Sequence, residues 1–95
     1  MEKIRTTVRI AGKDYTLSGY DSEEYVRRVA RYVDRKITEL SKATRLPVPD
    51  CATLAAVTIA DELAKAQEEL ARVRAQMESE RSELQALRAD KEAKA

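Results

Sequence analysis

Ninety-five residues with four tyrosines, no Phe or Trp and 37% charged side chains are enough for one small domain with a thin core. Burial of further apolar surface against a second chain is therefore expected. The net charge is only +1, but the basic residues concentrate in the middle, over 22–46, while the second half is acidic. A single cysteine excludes an intrachain disulfide, and the lack of histidine removes the ordinary zinc-ligand sets, which suits a reducing cytoplasm. The start, Met1-Glu2-Lys3-Ile4-Arg5, has no apolar signal region, and the longest apolar run, within Leu54–Ala60, is far shorter than the roughly 20 residues a membrane span needs. Neither secretion nor membrane insertion is expected.

Residues 4–10 alternate, with Ile4, Thr6, Val8 and Ile10 on one face and Arg5, Thr7 and Arg9 on the other, the period of a half-buried strand. Tyr15 and Leu17 repeat the pattern. Between them Ala11-Gly12-Lys13-Asp14 supplies the positive-φ residue and polar side chains of a tight reversal, so residues 3–18 are predicted as a β-hairpin, with Gly19 ending its second strand. A lone hairpin is marginal in water, so its apolar face must meet a helix or another chain.

The run Asp21-Ser22-Glu23-Glu24 has the spacing of a capping box, with Asp21 as N-cap, Glu24 reaching back and Tyr20 placed as a staple. Val26, Val29, Ala30, Val33, Ile37 and Leu40 then recur at three- and four-residue spacing, predicting an amphipathic helix over 22–45. Arg27, Arg28, Arg31, Arg35 and Lys36 lie off that stripe. Leu46-Pro47-Val48-Pro49 stops the helix, since proline lacks an N–H and drives its predecessor to extended geometry.

With Asp50 as the next N-cap, no Gly or Pro interrupts the chain to its end, and a helix of about 40 residues, on the order of 60 Å, is predicted. Ala56, Leu63, Leu70, Met77 and Leu84 fall on a positions of a heptad, and Ile59, Ala66, Val73, Glu80 and Leu87 on d positions, with only Glu80 breaking the seam. Oligomerisation is assigned to Ile59, Leu63, Ala66, Leu70, Val73, Met77, Leu84 and Leu87. The charged g positions are acidic (Glu62, Glu69, Glu83, Asp90) and the charged e positions basic (Arg74, Arg81, Arg88), which favours a parallel pair in which Glu69 faces Arg74 and Glu83 faces Arg88. Small Ala66 and polar Glu80 leave room for two dimers to associate. Before about residue 65 the helix is apolar more broadly, through Leu54, Val57, Ala60 and Ala64, so its first turns are expected to join the hairpin and first helix.

The fold class is thus α+β and mostly α. A head over 1–49, dimeric, combines the hairpin and the first helix, and residues 50–95 form a long coiled-coil helix. No catalytic arrangement is present: there is no general-base histidine, Cys51 has no histidine partner, and two isolated glycines cannot cradle a phosphate. No enzymatic activity, cofactor or metal is expected. Cys51 is read as a small, partly buried apolar residue and the tyrosines as packing residues with wet hydroxyls. The basic residues of 22–45 could meet phosphate, an acidic protein surface or water. Two alternatives follow: a nucleic-acid-binding coiled-coil dimer using that helix, and a structural coiled-coil adaptor. Against the first, Asp34 and Glu39 interrupt the basic run and the helix has a core stripe of its own.

The segments VRIAGKDYTLSG (8–19), VARYVDRKITEL (29–40) and LAAVTIADEL (54–63), in this order, resemble the ZapA family of division-ring-associated proteins, over about residues 4–70. The resemblance implies a bacterial cytoplasmic protein at the midcell ring. In such a protein, parallel dimers join through their coiled coils into an antiparallel tetramer that binds the tubulin-like GTPase FtsZ, bundles its protofilaments and promotes ring assembly. FtsZ surfaces being generally acidic, it also implies basic contacts, foremost Lys13 in the hairpin turn and Arg45 in the corner after the first helix, then Lys42, Arg9 and Arg35.

Overall fold

A computed structural model describes residues 2–94. Two strands, β1 (Ile4–Ile10) and β2 (Lys13–Gly19), are followed by two helices, α1 (Glu23–Thr44) and α2 (Val48–Lys94). The chain forms two compact units, one ending at Ile59 and one starting at Ala60, so the first turns of α2 belong with the hairpin and α1.

The strands pair antiparallel with Ile10 opposite Lys13, leaving Ala11 and Gly12 as a two-residue loop. Both loop residues have positive φ, 52° and 81°, the type I′ turn whose twist matches that of paired strands. Gly12 adopts this geometry freely, whereas Ala11 does so against the preference of an L side chain. Two contacts hold Ala11 there. Its side chain packs against the cluster of Ile37, Cys51 and Ala55, and its N–H donates to Asp34 Oδ1 of α1 at 2.8 Å.

The alternation holds in β1, where Thr6 and Val8 are buried under α1 while Arg5, Thr7 and Arg9 face solvent, but not in β2, whose Tyr15 and Leu17 stay 46% and 43% exposed. Burying Thr6 has a local cost, because its Oγ1 has no hydrogen-bond partner among the described residues. On the opposite face the Thr7 and Thr16 hydroxyls meet at 3.1 Å, and Arg9 pairs with Asp14 at 3.2 Å.

α1 starts one residue later than the expected cap. Ser22 is the N-cap, its Oγ accepting from Tyr25 N–H at 3.2 Å, and Asp21 lies outside the helix. This register puts Tyr25 rather than Glu24 at the third helical position, so the capping box does not form, and Tyr20 is too far back to staple and is 60% exposed. Glu23 and Glu24 instead sit in the first turn, where the helix dipole favours acids. Ala30 and Ile37 are buried, Val26, Val33 and Leu40 half-buried, and Val29 stands exposed at the edge of the stripe.

No glycine is available to end α1, and Arg45 takes the left-handed position (φ 57°, ψ 22°), its N–H returning to the Ser41 carbonyl at 3.0 Å. α2 begins at Val48 rather than after Asp50. The N–H groups of Asp50 and Cys51 both donate to the Pro47 carbonyl, at 3.0 and 3.1 Å, so Pro49 and Asp50 lie inside the first turn. Proline is tolerated there because its missing N–H has no intrahelical acceptor to lose.

Thr44 and Cys51 tie the corner. Thr44 Oγ1 donates to the Leu40 carbonyl at 2.6 Å and accepts from Leu46 N–H at 3.3 Å, and the Cys51 thiol donates to the Leu46 carbonyl at 3.4 Å. Cys51 is wholly buried, not partly as its sequence context indicated. With Ile37 and Ala55 it forms a core covered by Ile10, Ala11, Val33 and Leu40. Asp34 links this core to the turn. Asp34→Ala strands the Ala11 N–H and is expected to cost about 1–3 kcal/mol in urea unfolding, most of it recovered in Asp34→Asn, which keeps the acceptor.

Candidate interaction surfaces

Because α1 crosses the hairpin on its Thr6/Val8 face, the two flanks of the sheet differ in chemistry. On the β2 flank lie two apolar grooves. One contains Leu17, Tyr25, Val26, Val29 and Val33. The other runs from Tyr15 and Leu17 past Ile37 to Val48, Pro49 and Ala52 at the start of α2. On the β1 flank a polar cleft is lined by Thr7, Val8, Arg9, Arg27, Ala30 and Arg31.

The five basic residues expected to contact a partner fall in different places. Lys13 opens β2 and lines the groove that reaches Val48 and Pro49. Arg45 caps α1 three residues before Val48, and Lys42 is in the last turn of α1, where the dipole favours a cation. These three belong to the corner side of the first unit. Arg9 instead faces the polar cleft with Arg27 and Arg31, and Arg35 follows one turn further along α1, exposed. The Arg9–Asp14 pair does not cancel the charge locally, since both side chains are more than half exposed and such pairs contribute little. Other cations have structural uses: Arg28 lies over the Tyr25 ring at 5.6 Å and Lys36 over the Tyr32 ring at 5.3 Å.

In the second unit, Leu63, Leu70, Val73, Met77, Leu84 and Leu87 are between 40% and 65% exposed on a single helix, and Ala66 is exposed beside them. Ile59 is half-buried at the end of the first unit. An exposed apolar stripe of this extent is a candidate interaction surface. Within the helix, Glu69 pairs with Arg72 and Asp90 with Lys94, and Gln76 donates to Glu80 at 3.4 Å, so the one acid of the seam has a partner on its own chain. Asp61 hydrogen-bonds to the Lys65 ammonium at 2.9 Å and attracts it, raising that pKa above the usual 10.5. A lysine with a raised folded-state pKa loses its contribution only as pH climbs through that value, so this pair gives no response near neutrality.

Asp34 and Thr44 position the turn and the corner; the sequence marked Asp34 only as an acid within the basic helix and did not mark Thr44. Among the described residues, no group of three or more His, Cys, Asp or Glu side chains could hold a metal ion, and no helix is long and apolar enough to cross a membrane.

Comparison with known proteins agrees with this architecture. A family profile described as "Cell division protein ZapA" matches residues 6–90. The Cell division protein ZapA of Geobacillus kaustophilus is 48% identical over 68 residues, covering 70% of this chain and 75% of that protein. That of Halalkalibacterium halodurans is 47% identical with the same coverage. The solved structure "ZapA mutant dimer from Geobacillus stearothermophilus" is 46% identical, has a TM-score of 0.66 and aligns with 82% of this chain and 92% of that one. With the hairpin, two helices and apolar stripe all accounted for, the chain belongs to the ZapA family of cell division proteins.

Proposed function

We propose that this chain is a non-enzymatic cross-linker that binds FtsZ filaments, bundles their protofilaments and promotes assembly of the division ring at midcell in the cytoplasm. The observation that carries this reading is the separation of two surfaces: basic side chains exposed on the first unit and an apolar heptad stripe exposed along the second. The stripe joins copies into parallel dimers, and dimers into an antiparallel tetramer, through Ile59, Leu63, Ala66, Leu70, Val73, Met77, Leu84 and Leu87. The head, residues 1–49 with the first turns of α2, supplies Lys13, Arg45, Lys42, Arg9 and Arg35 as contacts to an acidic filament surface. Several weak heads on one assembly bind a polymer with far higher avidity than one head alone.

Co-sedimentation with GTP-assembled FtsZ tests the reading. The chain is expected to pellet with filaments, to increase the pelleted FtsZ, and to produce bundles in negative-stain micrographs, with the effect weakening as salt rises. Absence of pelleting at low salt overturns the proposal.

A further inference from the structure

We propose that the free edge of β1 is a docking site for an extended acidic segment of a partner protein, which adds to the hairpin as a third strand. This inference does not depend on the filament reading.

Among the described residues the sheet has two strands, β1 and β2, so β1 has one unpaired edge. Its backbone parity follows from the turn. A two-residue type I′ loop closes on a hydrogen-bonded pair, here Ile10 and Lys13, and the pairs then alternate. Ile4, Thr6, Val8 and Ile10 therefore bond to β2, and the N–H and C=O groups of Arg5, Thr7 and Arg9 point outward. The close side-chain contacts of Thr7 with Thr16 and of Arg9 with Asp14 fall on the other, non-hydrogen-bonded pairs, as this parity requires.

The polar cleft lies along this edge, with Arg27 and Arg31 one turn apart on the α1 wall. An added strand alternates its side chains, placing one set beside Arg5 and Arg9 on the outer face and the other beside Arg27 and Arg31. Acidic side chains fit both sets. Among the described residues no carboxylate pairs with Arg5 or Arg31, and the Arg27–Glu23 pair is long, 3.7 Å, and exposed. A second copy of this chain is a poor occupant. Antiparallel β1–β1 pairing centred on Thr7 would set Arg5 against Arg9, and like charges directly opposite destabilise a sheet. The apolar grooves suited to burial against another copy are on the opposite flank, beside β2. By the same parity the outer edge of β2 presents the backbone of Asp14, Thr16 and Ser18, which has no arginine to attract an acidic strand.

The test is fluorescence anisotropy of the full chain at low salt. The probe is a fluorescein-labelled heptapeptide of alternating Glu and Thr, compared with its Gln-for-Glu form, its fully N-methylated form and a short DNA duplex. The acidic peptide is expected to bind saturably, and the Gln and N-methylated forms to bind at least about tenfold more weakly, since one lacks the charge and the other the strand hydrogen bonds. Arg27→Glu with Arg31→Glu, both exposed on α1, is expected to weaken the acidic peptide by about tenfold or more while leaving the oligomeric mass unchanged. Four results would each overturn the proposal: no saturable peptide binding, equal binding of the N-methylated form, tighter binding of the duplex, or a change of mass in the double variant. The second would mean attraction by charge alone, the third a nucleic-acid surface, and the fourth a contact between copies.

Discussion

Leu70→Glu is expected to dissolve the assembly. Leu70 occupies an a position in the middle of the stripe and is 47% exposed on a single helix, so pairing would remove much of its side chain from water. Fully burying an exposed leucine contributes about 1.5–3 kcal/mol, so the half of Leu70 still open to water contributes about half of that, and a dimer loses it twice. Two facing glutamates then add the cost of bringing like charges into a partly desolvated seam. A loss of about 1.5–3 kcal/mol per dimer from the apolar term alone corresponds to roughly tenfold to a hundredfold in dissociation constant, before the repulsion is added. Light scattering at micromolar concentration is expected to show mass falling toward that of the single 10.7 kDa chain. Ala75→Glu, which adds the same charge on the far side of the same heptad, is expected to leave the mass unchanged. If Leu70→Glu keeps its full mass, the stripe is not the assembly surface. Bundling, which needs more than one head per particle, is expected to disappear with the assembly, even though each head keeps its basic residues.

Periodicity made the elements legible, whereas their ends depended on competition between neighbours. The alternation of Thr6 and Val8 with Arg5, Thr7 and Arg9 located β1, because a half-buried strand leaves no other arrangement of those side chains. Asp21 and Ser22 are both good N-caps, and the capping-box spacing to Glu24 selected Asp21. Ser22 prevails in the fold, and with it the capping box and the Tyr20 staple are lost. The two prolines were read as a break lasting to Asp50, yet Pro47 supplies the carbonyl on which α2 begins and Pro49 fits inside its first turn. Charge composition identified a basic region but not its division. Only the fold brings Arg9 of β1 together with Arg27 and Arg31 of α1, from sequence positions about twenty apart, and separates them from Lys13 and the corner. The link from Asp34 to the Ala11 N–H was equally invisible, because it joins residues 23 apart and carries no sequence signature.

Lys13 and Arg45 provide the converse experiment, in which binding is expected to fail while assembly persists. Both are exposed, and neither belongs to the heptad stripe. Lys13→Glu with Arg45→Glu is expected to leave the light-scattering mass unchanged and to reduce co-sedimentation with FtsZ by at least about tenfold, since each head replaces attraction with repulsion and several heads act on one filament. Arg45 permits a control that separates charge from folding. Its left-handed backbone costs an L side chain about 1–2 kcal/mol, of which the freer unfolded chain of glycine takes back about 0.4–1, so Arg45→Gly removes the charge and is expected to raise stability by up to about 1 kcal/mol. Filament binding and stability should therefore move in opposite directions in Lys13→Ala with Arg45→Gly, a result that damage to the head cannot imitate. If that variant melts higher and still bundles filaments as well as the parent, the contact lies elsewhere on the first unit. The polar cleft of Arg9, Arg27 and Arg31 would then be the next surface to reverse.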